Sequence, residues 1–210
     1  MLLLLALHSV LQVGSGDTLV IRTVDHPPLP GEAIDSLRYG LPQVRIPTRQ
    51  GTALVWLLRA SDTVFVASSI PDTTRYWGDD FVLSLDTRGD GAPSPQHDDF
   101  QLDFHRVLDS SVVARGRNGR WQPPQDDPDW RIGPDRSGGG WEVSAGDGAG
   151  RWNLLLRMDP AWFAGEEGRL PRIAFRIYDD NPSGSYSWPR PRGSVPTTVE
   201  RVPEEWAPVR

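Results

Sequence analysis

Tyr76-Trp77-Gly78-Asp79-Asp80-Phe81-Val82-Leu83-Ser84-Leu85-Asp86, running on into Thr87-Arg88-Gly89-Asp90-Gly91, is the stretch whose reading decides the fold. An aromatic pair comes first, then a short apolar run, then a loop dense in carboxylates and glycine. The run from Phe81 to Leu85 is bounded by acidic turns on both sides, which reads as a strand. That order puts a flat stacking surface and a hard-cation site at opposite ends of one strand. Both are tools suited to holding a neutral, hydroxyl-rich ligand without chemistry.

Neighbouring segments have the same character. Phe100-Gln101-Leu102-Asp103-Phe104-His105-Arg106-Val107 alternates strictly, with Phe100, Leu102 and Phe104 inward and Gln101, Asp103 and His105 outward. Ala53–Arg59 and Thr63–Ser69 form a strand pair around Ala60-Ser61-Asp62, a length and chemistry suited to a hairpin. The near-continuous apolar character of the first suggests a strand covered on both faces. Thr18–Val24 opens the series before the His26-Pro27-Pro28 and Pro30-Gly31 breaks. Residues 116–140 form a polar excursion holding Trp121 and Trp130, a long loop or a flap. Trp141–Val143 and Arg151–Met158 return to strand character around Gly146-Asp147-Gly148. Asp159-Pro160-Ala161-Trp162-Phe163 predicts a helical turn with Asp159 as its N-cap. Arg172–Tyr178 is the last core strand, and the Pro/Ser/Gly-rich chain beyond Asp179 is expected on the surface. About ten short strands with no room for helical crossovers give an all-β, antiparallel sandwich of jelly-roll type, a single domain with long loops.

Composition fits. With 210 residues the chain suits one domain. Gly 21 and Pro 20 favour turns over long helices. Cys 0 excludes disulfides, thiolate chemistry and cysteine zinc sites. The net charge of -6 gives no general attraction to nucleic acid or anionic membrane. All 22 basic residues are Arg, a bias that fits a GC-rich genome better than a function. Leu2–Leu7, extended to Leu11 and Val13, is too short for a stable transmembrane anchor. With the small residues Gly14 and Ser15 after it, the segment predicts an export signal over 1–15, although no Arg precedes it. A buried strand or helix is the other reading.

Asp86-Thr87-Arg88-Gly89-Asp90-Gly91 and Asp98-Asp99 form the metal candidate, with Asp86, Asp90, Asp98 and Asp99 as oxygen donors for calcium. The loop departs from an EF-hand: Arg88 stands where a carboxylate would help, and no bidentate Glu closes it. A solvated hairpin loop is the plainer alternative. Tyr76-Trp77 and Tyr186-Ser187-Trp188 are the stacking candidates, because a pyranose presents a C–H face that packs on an indole. Each tryptophan could equally cap the core. Asp179-Asp180-Asn181-Pro182 offers acceptors to ligand hydroxyls, a second cation site, or an Asx-stabilised turn. Nothing resembles a nucleophile motif, and the carboxylates cluster in exposed loops, which argues against a general acid.

At Trp77–Asp86 the chain resembles the family-nine carbohydrate-binding modules and their DOMON-like relatives. The likeness extends back through Thr63–Ala67 and forward through Trp152–Leu156, Arg172–Asn181 and Trp188, covering roughly residues 32 to 190. The resemblance implies a β-sandwich, structural calcium and a slot in which two tryptophans clamp a sugar; Trp77 and Trp188 match those positions, and Asp80 the acid that opens the strand. Leu83 stands where sugar binders carry another acid. Gln101, Asp103 and His105 stand where they carry basic side chains. The expected organisation is a signal over 1–15, an N-terminal strand and linker over 16–31, the module over 32–190 and a C-terminal extension over 191–210. The expected function is an exported, non-catalytic carbohydrate-binding domain. Trp77, Trp188, Tyr76, Asn181, Tyr186 and Asp80 would contact a mono- or oligosaccharide. The alternatives are a cell-envelope interaction domain of the same fold, or a haem-binding DOMON-type domain using Met158 with His97 or His105.

Overall fold

The computed structural model describes residues 18–107, 110–123, 141–180, 183–190 and 201–210. The export segment over 1–15, Trp130 and Asn181 lie outside the described residues.

Among the described residues, thirteen strands in two facing sheets build the sandwich. The first sheet contains β1 (Arg22–Thr23), β2 (Val44–Thr48), β3 (Gly51–Ala60), β4 (Thr63–Pro71), β9 (Trp141–Gly148) and β10 (Arg151–Met158). Its order is β1-β3-β4-β10-β9, with β2 also paired to β3. The second contains β5 (Asp80–Asp86), β6 (Asp99–His105), β7 (Ser110–Arg117), β8 (Arg120–Gln122), β11 (Arg172–Asp180), β12 (Ser183–Trp188) and β13 (Ala207–Pro208). Its order is β12-β11-β5-β6-β7-β8, and β13 pairs with the start of β11.

Alternation along β5, β6 and β11 decides what faces what. Phe81, Leu83, Leu85, Phe100, Leu102, Phe104, Ile173, Phe175 and Ile177 point inward and meet Val55, Leu57, Val66, Leu154 and Leu156 of the first sheet. Removal of this apolar surface from water is the main stabilising term. As its apolar run predicts, β3 is covered on both faces. Trp56 and Leu58 face a second cluster under the 34–39 segment, which includes the short helix α1 (Ser36–Tyr39). The 3-10 turn at Pro160–Phe163 forms with the Asp159 carboxylate accepting from the Ala161 amide, as read from the sequence.

Four differences stand out. The β9–β10 turn falls at Ala149-Gly150, with φ of 50° and 69°, three residues later than Gly146-Asp147-Gly148 suggested. Asn118-Gly119, with φ of 51° and 77°, closes a β7–β8 hairpin inside the polar excursion. Beyond Asp179 the described chain is structural: β12 lines the edge of the second sheet and buries Trp188. The last ten residues also join the body, Trp206 stacking on Trp121 and Leu19 bridging to Val209. Both termini of the described chain therefore pack into the sandwich, outside the expected 32–190 span.

Candidate functional site

β5 runs through the middle of the second sheet, between β11 and β6, and carries a candidate site at each end.

At its N-terminal end the β4–β5 connection presents Trp77 to solvent, 74% exposed, with Tyr76 also exposed. The backbone on both sides of the indole is tied down. The Tyr76 amide donates to Asp79 Oδ2 (2.7 Å), and the Asp180 amide donates to Asp79 Oδ1 (3.2 Å). Gly78 rests against Asp180 so closely that a Cβ there would lie 3.1 Å from its carboxyl carbon. Next to the loop, the outer face of the sheet is polar. Asp80 Oδ1 is 2.6 Å from His105 Nδ1 on the paired strand. Arg176 and Tyr178 of β11 stand beside them in register, opposite Val82 and Asp80. Asp80, Asp103 and His105 bring ligand atoms within 4.8 Å of one another. Burial pushes the Asp80 carboxyl above its usual range, opposed by the His105 hydrogen bond and by the charge of Arg176.

Trp188 and Tyr186 sit elsewhere. They lie on the inward side of β12; Trp188 is 8% exposed and packs on Phe175 with ring centroids 6.1 Å apart. Tyr186 packs against the same core and accepts at its hydroxyl from the Arg49 amide (3.2 Å). The side of β12 that shares the polar face carries Ser185 and Ser187, opposite Tyr178 and Arg176. Leu83 is fully buried in the core, so its position offers nothing to a ligand; the outward residues of β5 are Asp80, Val82 and Ser84. Arg176 went unread as a site residue, although the alternation of Phe175 and Ile177 already turns it outward.

At the other end of β5, Asp86 and Asp99 face one another across the β5–β6 ladder, and Asp98 joins them. All three are buried, and their oxygens approach within 4.8 Å. Asp86 accepts from the amides of Arg88 (3.1 Å), Gly89 (2.6 Å) and Gly91 (2.9 Å), an acid-capped turn. Gly89 is obligatory: its φ is +73°, and a Cβ would lie 2.0 Å from the Leu170 carbonyl oxygen. Asp99 Oδ2 accepts from the Gln96 amide (2.7 Å). Asp99 Oδ1 and Asp98 Oδ2 are buried without any hydrogen-bond partner. Burial, reinforced by the carboxylates of Asp86, Asp98 and Asp90, pushes Asp99 up to about 8. Asp90 itself is exposed and accepts from the Ala92 amide (3.1 Å), at the rim of the cluster.

Met158 is enclosed in the core, while His97 packs against the Arg115 guanidinium and His105 bonds Asp80 on the outer face of the second sheet, so neither histidine stands with Met158 as an axial pair for haem. Among the described residues no helix is long and apolar enough to cross a membrane.

No family model matches the chain, and no curated protein matches it. Solved structures do. A family-nine carbohydrate-binding module from Caldicellulosiruptor kristjanssonii in complex with glucose aligns with a TM-score of 0.61 at 12% identity, over 92% of this chain and 95% of that one. The module in complex with cellotriose aligns with a TM-score of 0.62 at 13% identity, over 92% of this chain and 93% of that one. The chain thus has the sandwich fold of the family-nine carbohydrate-binding modules.

Proposed function

We propose that this protein is an exported, non-catalytic carbohydrate-binding domain that stacks a sugar ring on Trp77. The observation that carries this reading is the open indole of Trp77 beside a polar sheet face, on a fold whose solved relatives hold glucose and cellotriose. An indole face accepts the C–H surface of a pyranose, and charged side chains at the rim of a ring bond its hydroxyls. Asp80, Asp103, His105 and Arg176 supply those bonds, with Tyr76 flanking the platform. Asn181, outside the described residues, enters the proposal from its sequence position alone. Trp188 and Tyr186 enter as inner support for β12 and not as a second stacking wall. Export follows from the apolar 1–15 segment. Calorimetry against glucose, cellobiose, cellotriose and xylo-oligosaccharides tests the proposal: binding that Trp77→Ala weakens about tenfold is expected. Equal affinity in the variant would remove Trp77 from the site.

Calcium at Asp86, Asp98 and Asp99 belongs to the same proposal, with Asp90 as a donor from the rim. The site fits a hard cation: every donor is oxygen, and two buried carboxylate oxygens lack partners. There it would neutralise like charges facing one another across β5 and β6. Calorimetry of calcium into chelator-stripped protein should show binding, lost in Asp99→Asn.

A second reading, an interaction domain of the same fold without a small ligand, is favoured by Leu37 of α1, fully exposed, and Leu41 just after it, 72% exposed. A parent protein giving no heat with any of the sugars would favour it.

A further inference from the structure

Arg106, the residue after β6, is almost fully buried, and its guanidinium lies among carboxylates drawn from distant parts of the chain. It pairs with Asp72, just after β4, and donates to the Thr74 carbonyl (2.6 Å). It lies 3.5 Å from Asp79 Oδ2, just before β5. From its other side it donates to Asp147 Oδ1 of β9 (2.8 and 3.0 Å). Its own backbone takes part: its amide donates to the Asp79 carbonyl (3.0 Å), and its carbonyl accepts from Arg75 (3.2 Å). Asp72, Thr74, Arg75 and Asp79 bracket Trp77, so this one residue fastens both limbs of the loop that carries it.

The carboxylates of Asp72, Asp79 and Asp179 approach within 4.8 Å, a spacing that would also suit a metal ion. Protein donors fill that role instead. Thr74 donates to Asp72 through its amide (2.8 Å) and its hydroxyl (3.0 Å). Gln50 Nε2 bridges Asp72 and Asp179 at 3.1 Å each. Asp79 receives the Tyr76 and Asp180 amides described above, and Arg106 brings the positive charge. A buried cluster of this kind holds only if its cation is present and its oxygens are bonded, because a lone buried carboxylate is costly. A planar, forked guanidinium can reach Asp72, Thr74 and Asp147 at once, whereas an ammonium cannot.

We infer that Arg106 is a built-in cation that positions Trp77 for its ligand, holding the β4–β5 loop in one geometry before binding. This rests on the Trp77 reading above for its consequence and on the loop geometry for its cause. Pre-organised loops bind more tightly because less freedom is lost on association. Arg106 is a positioning residue and need not touch the sugar.

The test uses 5-fluorotryptophan-labelled full-length protein, whose Trp77 fluorine signal is assigned with Trp77→Phe. In Arg106→Lys the Trp77 signal should shift or broaden, while those of Trp56, Trp162 and Trp206, which share no contact with Arg106, stay in place. Cellotriose should bind about tenfold more weakly. Asp147→Asn, which takes the charge from the outer partner but keeps an oxygen that accepts from Arg106, should change neither. An unchanged Trp77 signal in Arg106→Lys overturns the inference, and so does a uniform shift of all tryptophans, which would mark general loss of packing. If Arg106→Lys fails to fold, Asp72→Asn decides: a selective Trp77 shift supports the inference, and no shift overturns it. A parent protein that binds no sugar removes the carbohydrate reading alone, since the fluorine signal judges Arg106 without ligand.

Discussion

Two tryptophans that look alike in sequence differ in what surrounds them, and the difference can be measured. Trp77 has little to lose on truncation: Trp77→Ala should change stability by no more than about 0.5 kcal/mol in urea unfolding while weakening sugar binding. Trp188 fills core volume against Phe175, so Trp188→Ala should cost about 3–5 kcal/mol. A Trp188 variant of parental stability would place its ring outside the core. Asp99 gives a second prediction. Its folded pKa, about 8, lies above the ordinary 3.8, so the folded state holds its proton more tightly than the unfolded chain does. Stability from this group is complete below the unfolded value and is lost as pH rises through the folded one. Asp86 and Asp98 are shifted in the same direction by burial. In a chelator the melting temperature should therefore fall between pH 6 and 8.5, and saturating calcium should remove the fall. Equal melting temperatures at both pH values without calcium would contradict this.

Strands in the middle of the sheets were readable because they carry the largest apolar signal. β3, β4, β5, β6, β10 and β11 all follow runs or alternations of large apolar residues, and burial on at least one face requires that. β2, β7, β8, β12 and β13 were not read. β2 contains Pro47, which suits only an edge position, and its alternation of Val44 and Ile46 is short. β12, Ser183-Gly184-Ser185-Tyr186-Ser187-Trp188, is made of small polar residues with two aromatics and looks like a surface tail. It holds as a strand because β11 supplies its hydrogen bonds. β13 is similar: Trp206 beside it stacks at 6.4 Å on Trp121, over Ala174. Removing residues 203–210 should expose that patch and cost at least about 3 kcal/mol by denaturant unfolding. A truncated protein of parental stability would mean that the C-terminal strand is an ornament of the sheet.

Over the whole molecule the pairing is non-local. β4 pairs with β10, Phe65 opposite Arg157, and β5 pairs with β11, Phe81 opposite Ile177. Long loops must close before these contacts form, so refolding should fall in the range of about milliseconds to seconds by stopped-flow fluorescence. Refolding within microseconds would be inconsistent with this topology.

The sequence by itself determined the all-β class, the middle strands and the run of acids after Asp86. Each depends on local pattern: a two-residue period, an apolar run, or donors a few residues apart. Only the tertiary structure decided that Trp77, and not Trp188, is exposed, and which residues meet across the chain. It set Arg176 beside Asp80, turned Leu83, Tyr186 and Trp188 to the inner side, and placed Arg106 between Asp72 and Asp147, each more than thirty residues away. Strand pairing, not sequence spacing, fixes these neighbours, and a shift of one residue in register would exchange the polar face for the core.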